Sequence, residues 1–366
     1  MKKLEVVLQS HSYPIFISSG LLEKADELIS SLLRPKCHKA VLVSNQKVFE
    51  LYGRKLIGAL SRLGLKTSTV LISDGERFKT LRTVENIVLS LIEEKIERND
   101  LLLALGGGVI GDIAGFASAI YLRGIDFLQI PTTLLAQIDS SIGGKTGVNH
   151  KLGKNLIGAF HQPKGVLIDP STLSSLDGRE LRSALQEAVK YGVIKDVELF
   201  DLLEKNSKEL LAKDDSLLED VIYRCCYIKA GVVSRDEKES GERRILNFGH
   251  TIGHALEAAT RYKRFKHGEA VGYGIIGAAQ IASDLNLLIK NDLDRIQNLV
   301  NAFGPLPKTD NIDTKLVAER MAQDKKAVAG RLVFILPDKI GSVIIEEGLP
   351  SELVYNVLKK ILKGRV

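Results

Sequence analysis

Along the first half of the chain, short β-branched or leucine-rich runs alternate with stretches whose apolar residues recur at helical spacing. The runs are KAVLVSN (39–45), STVLISDG (68–75), DLLLALGGG (100–108) and FLQIPTT (127–133). Short apolar runs bounded by turn residues predict buried strands, and the amphipathic stretch TLRTVENIVLSLIEEKIER (80–98) predicts a helix between two of them. Such a βαβ rhythm predicts a mostly parallel sheet with helices on both faces. LEVVLQSHSYPIFIS (4–18) predicts a strand pair added to its edge. After GVLIDPSTLSSLDGRE (165–180) the pattern changes: helical periodicity dominates from Leu181 to about Ala302, and β-branched clusters become rare. GRLVFILPDKIGSVII (330–345) is a short extended piece, and a closing helix is expected from about Pro350. The fold class is therefore α/β: an N-terminal, Rossmann-like domain over 1–178 and a C-terminal, mainly α-helical domain over 179–366. Neither repeats nor a low-complexity linker separate them, so the two are expected to pack around a cleft.

Composition agrees with this division. At 366 residues the chain exceeds what one core usually fills. Apolar residues are 45% and charged residues 26%, ordinary globular usage, and no apolar run approaches the roughly 18 residues of a membrane span. The opening MKKLEVVLQSHSYP is basic, but Glu5, Gln9 and His11 interrupt any signal-peptide core, which predicts a cytoplasmic protein. Cys37, Cys225 and Cys226 cannot make a disulfide framework and are expected as reduced core residues. The formal charge of +6 admits nucleic acid, an acidic membrane face or small anions as partners. Basic residues are interspersed with acidic ones, and with 5% aromatics and no Trp there is no basic stripe with interleaved rings. A small anionic ligand, rather than nucleic acid or membrane, follows.

In LLLALGGGVIGDIAGF, Gly106, Gly108 and Gly111 form G-x-G-x-x-G directly after a predicted strand and before a predicted helix, the context of a dinucleotide-binding turn. The plain alternative is a tight strand-to-helix turn. About a hundred residues precede the motif, so this is a variant of the usual first βα unit. DGERFKT (74–80) places Asp74, Glu76 and Lys79 after a strand, where open α/β sheets bind ligands, or where a solvated turn leads into a helix. PTTLLAQIDSSIGGKTGVNHKLGKNLIGAF (131–160) combines Thr132, Thr133, paired glycines, Lys145, Lys154 and Asn155, and is expected as flexible glycine loops forming a phosphate cradle.

Three of the seven histidines fall within 250–267. His250 and His254, four apart in NFGHTIGHALE, share a helix face, but Thr251 stands where H-E-x-x-H needs glutamate, so the motif of a hydrolytic zincin is absent. His267 follows in FKHGEAV. Two histidines and a carboxylate would make a metal site with coordination positions left for substrate. Glu187, in the otherwise apolar SALQEAVKYGVIK, is the candidate, because a lone buried carboxylate is costly unless it is paired or metal-bound. A cluster of mutually hydrogen-bonded histidines is the rival reading.

Taken together, GGGVIGDIAGF, RGIDFLQIPTTLLAQIDSSIGGKTGVN, GKNLIGAFHQP, EAVKYGVIK, LNFGHTIGHALE and HGEAV resemble, in order, the motifs of the 3-dehydroquinate synthase family of sugar phosphate cyclases. The resemblance runs from about residue 40 to 345. It implies an NAD-binding α/β domain and a helical domain that carries a divalent metal, usually zinc and alternatively cobalt. The implied metal ligands are Glu187, His250 and His267, with His254 left to act on substrate. The implied NAD site comprises Asp74, Glu76, Lys79, Gly107, Gly108, Val109, Ile110, Gly111, Asp112, Thr132, Thr133, Lys145, Lys154, Thr172 and Leu173. The implied substrate residues are Arg123, Asp139, Lys145, Lys154, Asn155, Lys190, Lys229, Arg243, Asn247 and one of Lys325 and Lys326. Of these, Lys145, Lys190, Lys229, Arg243 and Asn247 join His254 in the implied catalytic set. Tyr273 stands where a smaller or aliphatic residue is usual, which would alter helix packing.

The implied reaction turns 3-deoxy-D-arabino-heptulosonate 7-phosphate into 3-dehydroquinate and phosphate, a step of the shikimate pathway towards aromatic amino acids. It would proceed by transient oxidation at C5 by NAD, β-elimination of phosphate, reduction, ring opening and an aldol closure. Reactive intermediates call for a closed cleft, and domain closure on substrate is expected; scattering that shows no compaction with NAD and a substrate analogue would count against it. The resemblance also implies a homodimer. Alternatives are a 2-deoxy-scyllo-inosose or 2-epi-5-epi-valiolone synthase, whose substrates lack the carboxylate, and a metal-dependent polyol dehydrogenase, which would accumulate NADH.

Overall fold

The structure, a computed structural model, describes residues 1–9, 11–327 and 332–364, with the side chains of 323–327 outside that description. The chain forms two compact units, Met1–Leu176 with Leu218–Lys238, and Asp177–Leu217 with Glu239–Val366.

The strands of the first unit are β1 (Lys2–Val7), β2 (Ser12–Ile17), β3 (Lys39–Asn45), β4 (Lys66–Ile72), β5 (Leu101–Gly106), β6 (Asp126–Pro131), β7 (Lys145–His150), β8 (Gly153–Phe160) and β9 (Gly165–Ile168). Seven of them make one sheet in the order β1-β2-β9-β6-β5-β3-β4. Every pairing is parallel except that of β1 with β2, the expected edge pair. All six residues of β5 are buried, as a parallel strand covered on both faces requires. Side chains alternate between the faces. Val41, Val43, Leu102 and Ala104 pack with Ile87, Leu91, Ile110 and Ala114 of the helices Leu81–Glu93 and Gly108–Ile120. Ala40, Leu42, Leu101 and Leu103 pack on the other face with Ala25, Leu56 and Leu60 of Ala25–Ser30 and Arg54–Arg62.

The segment 131–160 differs from its expectation. Instead of flexible loops it forms a helical turn at Ala136–Ser140 and then the antiparallel hairpin β7–β8. Its glycines serve close packing within the hairpin: a Cβ on Gly158 would lie 2.1 Å from the Thr146 carbonyl oxygen, and one on Gly147 would lie 2.5 Å from that of Ile157.

A single cut at 178/179 does not divide the chain either, because the helix Asp215–Arg235 sits in the first unit. Polar contacts tie it there. Ser234 Oγ accepts from Val7 N at 3.0 Å, Cys226 Sγ donates to the Gln137 carbonyl at 3.2 Å, and Lys229 Nζ donates to that of Asp139 at 2.8 Å. Cys225 and Cys226 are buried free thiols, and burial pushes the Cys226 thiol well above its ordinary range.

The second unit is mainly helical, with one hairpin of β10 (Val333–Lys339) and β11 (Ser342–Glu347). Its long helix Gly178–Lys195 starts at Asp177, whose carboxylate accepts from Arg179 N at 2.8 Å as an N-cap. The helices His250–Ala259 and His267–Asp284 pack on one another, and the closing helix is Ser351–Leu362. Tyr273 is accommodated by a bond from its hydroxyl to the Pro307 carbonyl, 2.9 Å, and an edge contact with Phe265.

Candidate active site

Two glycines bring the chemistry of the second unit together. A Cβ on Gly268 would lie 1.7 Å from the Ser183 carbonyl oxygen, and one on Gly274 would lie 1.7 Å from that of Gly249. Only hydrogen at those positions lets the His267 helix approach the Glu187 helix on one side and the start of the His250 helix on the other. The His267 helix is locked at its first turn. Glu269 accepts from Lys266 N at 2.8 Å and from Arg179 Nε and Nη2 at 2.6 and 2.9 Å.

At the meeting point Glu187 is 0% exposed, and Lys190, one turn on and 1% exposed, places Nζ 2.6 Å from its Oε2. Oε1 faces two rings, with His267 Nε2 at 3.3 Å and His250 Nε2 at 3.9 Å. Each ring is held from behind through Nδ1. His250 Nδ1 lies 3.1 Å from the Phe248 carbonyl oxygen, and His267 Nδ1 lies 3.1 Å from Glu257 Oε2. His254 is exposed, and its ring lies 5.2 Å from that of His250 and 5.9 Å from that of His267. Ring nitrogens of all three histidines come within 4.8 Å of one another. Oxygen acceptors, a carbonyl and a carboxylate, lie at the Nδ1 atoms of His250 and His267.

Electrostatics follow from this crowding. Burial opposes ionisation of Glu187, yet Lys190, His250 and His267 together hold its carboxyl well below the usual range. Burial pushes His250 down to about 3, so its ring is neutral. Burial also disfavours charge on His267, but its bonds to Glu187 and Glu257 prevail and raise it to about 10. Lys190 pairs with Oε2, but neither oxygen of Glu187 accepts an aligned hydrogen bond, which leaves Oε1 able to take a further partner. One carboxylate and two imidazole nitrogens suit zinc or cobalt better than a hard cation that prefers oxygen alone.

In the first unit, β5 ends at Gly106 and the helix starts at Gly108, with Gly107 as N-cap and no side chain bonding the first-turn N–H groups. The first-turn donors and the helix dipole favour an anion at this end, although Gly111 N is already engaged with the Gly107 carbonyl at 3.1 Å. Thr133 lies against Gly107, and Thr132 N donates to the Gly106 carbonyl at 3.0 Å. Lys79 is buried, and its Nζ is 2.5 Å from both Asp112 Oδ2 and Asn155 Oδ1. Burial raises the Asp112 pKa, and Lys79 offsets part of that. Asp74 accepts weakly from Asn45 at 3.4 Å.

Asn149, quoted in a motif but not singled out, wires this corner. It donates from Nδ2 to Glu76 at 2.7 Å and from its backbone to the Lys79 carbonyl at 2.9 Å, and its Oδ1 accepts from Asn155 N at 2.9 Å. Thr172 and Leu173 are buried, and Thr172 Oγ1 is engaged with Gln137 Nε2 at 3.0 Å and the Asp169 carbonyl at 2.7 Å. No pattern marked Gln137.

The remaining candidates divide between the units. Lys229 pairs with Asp139 in the first, where Arg123 and Lys145 are exposed and Lys154 is partly buried. In the second, Arg243 is 2% exposed, and Asn247 donates to Glu239, another unanticipated residue, at 2.9 Å. Burying Lys190, Lys229 and Arg243 is costly enough to mark them as functional candidates. The side chains of Lys325 and Lys326 lie outside the described residues.

Comparison with known proteins gives consistent matches. Residues 69–183 match the family model for the 3-dehydroquinate synthase N-terminal region, and 184–327 match that for its C-terminal region. The chain is 46% identical to a 3-dehydroquinate synthase of Cyanothece sp., over 99% of this chain and 100% of that one. Among solved structures it is similar to the 2-epi-5-epi-valiolone synthase ValA of Streptomyces hygroscopicus subsp. jinggangensis with NAD+ and Zn2+ bound, at TM-score 0.89, 29% identity, and 98% and 99% coverage of the two chains. It is also similar to a 2-deoxy-scyllo-inosose synthase complexed with carbaglucose-6-phosphate, NAD+ and Co2+, at TM-score 0.88, 26% identity, and 98% and 100% coverage.

Proposed function

The chain belongs to the 3-dehydroquinate synthase family, and on that premise we propose that it converts 3-deoxy-D-arabino-heptulosonate 7-phosphate to 3-dehydroquinate and phosphate, using NAD and a divalent metal. The observation that carries the reading is the fully buried Glu187 carboxylate, paired with Lys190 through Oε2 and faced through Oε1 by His250 Nε2 and His267 Nε2. When bound, the metal would supply Lewis acidity towards substrate hydroxyls, and the nicotinamide a place to park a hydride and return it.

The chain's own residues do the rest. Glu187, His250 and His267 would hold the metal, with Lys190 keeping Glu187 ionised. The segment Gly108 to Asp112 would meet the NAD pyrophosphate through the N–H groups of its first turn, while Asp74, Glu76, Thr132, Thr133, Thr172 and Leu173 would shape the site around it. Lys79, tethered by Asp112, brings a cation to the same corner. A substrate with both a carboxylate and a phosphate needs several cations, and Arg123, Lys145, Lys154, Lys190, Lys229 and Arg243 would supply them, with Asp139 accepting from a hydroxyl and the Asn155 and Asn247 amides bonding hydroxyls or donating to oxygens. Lys325 or Lys326 would add one more. His254, exposed beside two ligand rings, would hold or pass a proton at a ring nitrogen. The protein would act in the cytoplasm as a homodimer; no helix of the described residues is long and apolar enough to cross a membrane.

The test is phosphate release from that substrate with catalytic NAD and zinc, while following NADH absorbance. Phosphate far exceeding the NAD present, without net NADH, is expected. Absence of phosphate, or NADH accumulating with a polyol, overturns the reading.

A further inference from the structure

The two candidate ligand rings are oriented by different means. His250 Nδ1 is 3.1 Å from a main-chain oxygen, that of Phe248, two residues before it. His267 Nδ1 is 3.1 Å from a side chain, Glu257 Oε2, ten residues away in sequence. Glu257 lies on the helix that begins with His250, two turns further along and on the same face. It is 3% exposed, and its main-chain carbonyl is engaged by Tyr262 N at 2.7 Å and Thr260 Oγ1 at 3.2 Å, so the last turn of that helix is held in place. One helix thus carries one candidate ligand and, two turns on, the carboxylate that faces the other.

We propose that Glu257 is a positioning residue: by accepting a hydrogen bond from His267 Nδ1–H it fixes the ring tautomer and plane so that the Nε2 lone pair points at the Glu187 side of the site. The proposal rests on the reading of Glu187, His250 and His267 as metal ligands. The physical reason is general. An imidazole can bind metal through only the nitrogen that lacks a proton, and an anionic acceptor on the other nitrogen both selects that tautomer and makes the ring a stronger donor. A main-chain carbonyl, as behind His250, selects the tautomer with less charge. The His267 ring, entering on a separate helix and a third exposed, keeps only its Nε2 side facing Glu187 and loses its Nδ1 anchor once the Glu257 carboxylate is removed.

The test uses the full-length protein and three variants: Glu257→Gln, Glu257→Ala and His267→Ala. Zinc affinity is measured by competition with a chromophoric chelator, and the ligand-field bands are recorded after saturation with cobalt. His267→Ala is expected to lose zinc. Glu257→Ala is expected to bind zinc about 10- to 100-fold more weakly, and its cobalt bands to shift because the ring is a weaker, less fixed donor. Glu257→Gln keeps shape and an acceptor oxygen but not the charge; it recovers part of the affinity and guards against a folding defect, checked by circular dichroism. A structural role alone would lower the melting temperature without moving the cobalt bands.

If His267→Ala loses zinc while both Glu257 variants bind it as the parent does with unchanged bands, the ligand assignment stands and the role of Glu257 is refuted. If His267→Ala binds zinc normally, the ligand assignment itself fails, and the role of Glu257 with it.

Discussion

Replacing Gly268 by alanine tests whether main-chain contact between helices sets the metal geometry. The new methyl carbon would start 1.7 Å from the Ser183 carbonyl oxygen, 2.6 Å from its carbonyl carbon and 2.9 Å from its Oγ. Real carbon atoms do not approach an oxygen within about 3 Å, so the start of the His267 helix must move by about 1.3 Å, and main chain cannot swing aside as a long side chain can. The bond from Gly268 N to Ser183 Oγ, now 3.0 Å, would stretch with it. Overpacking costs about 1–3 kcal/mol and loss of the bond about 1 kcal/mol, so a loss of about 2–4 kcal/mol is expected from urea denaturation.

The functional effect should be larger than the loss of stability suggests. His267 precedes Gly268, and its Nε2 sits 3.3 Å from Glu187 Oε1. A displacement of about 1 Å between groups that must converge on one ion can cost on the order of 100-fold in rate. Zinc affinity and phosphate release should fall together in protein that is still folded. Gly58→Ala is the control: it lies inside the helix Arg54–Arg62, where the added carbon meets only the end of Arg62 at 3.9 Å. It should raise stability by about 0.5–1 kcal/mol. A Gly268→Ala protein as stable as the parent, with unchanged zinc affinity and rate, would refute the reasoning.

Glu187→Gln, His250→Ala and His267→Ala should each lose metal and activity, whereas His254→Ala should keep metal while its rate falls about 100-fold or more; metal analysis of the four purified variants decides, and full metal in His250→Ala would contradict the assignment. Chelation should lower the melting temperature reversibly, and free zinc at about 100 times its dissociation constant should restore about 2.7 kcal/mol, read by calorimetry. Lys79→Met leaves the partly buried Asp112 without its partner and should cost about 1–3 kcal/mol at neutral pH. The pH dependence has a definite sign. The folded pKa of Asp112 is already raised by burial, and losing Lys79 raises it further. The penalty therefore applies above that pKa and is relieved as pH falls through it towards 3.8. Denaturation midpoints of Lys79→Met and parent should converge at acid pH; a gap that stays constant would show that Asp112 is not the source.

Much of this molecule was legible before any coordinates. The strand runs around 41, 70, 103 and 129, the edge pair near the start, and the strand–glycine–helix turn at Gly106–Gly111 all follow from local period and from where glycine interrupts it. Glu187 stood out because a carboxylate in an apolar helical stretch has no cheap explanation. Non-local facts were not legible. The hairpin β7–β8 reads as loop because its strands are short of apolar residues and owe their form to glycines facing each other across the ladder. The helix Asp215–Arg235 has the periodicity of its neighbours, and tertiary partners such as Val7, Ser19, Gln137 and Asp139 assign it to the sheet unit.

Asn149, Gln137, Glu239 and Glu257 were missed for the same reason: a side chain's role there lies in a hydrogen bond to a residue outside its own helix or strand, and no periodicity encodes it. The sequence by itself determined which residue types and periodicities were available, because propensity and amphipathicity act over a few residues. Tertiary structure alone decided that Glu187, His250 and His267 converge and that Glu257 stands behind His267, because those distances are set by how closely three helices can pack where Gly268 and Gly274 have no side chain.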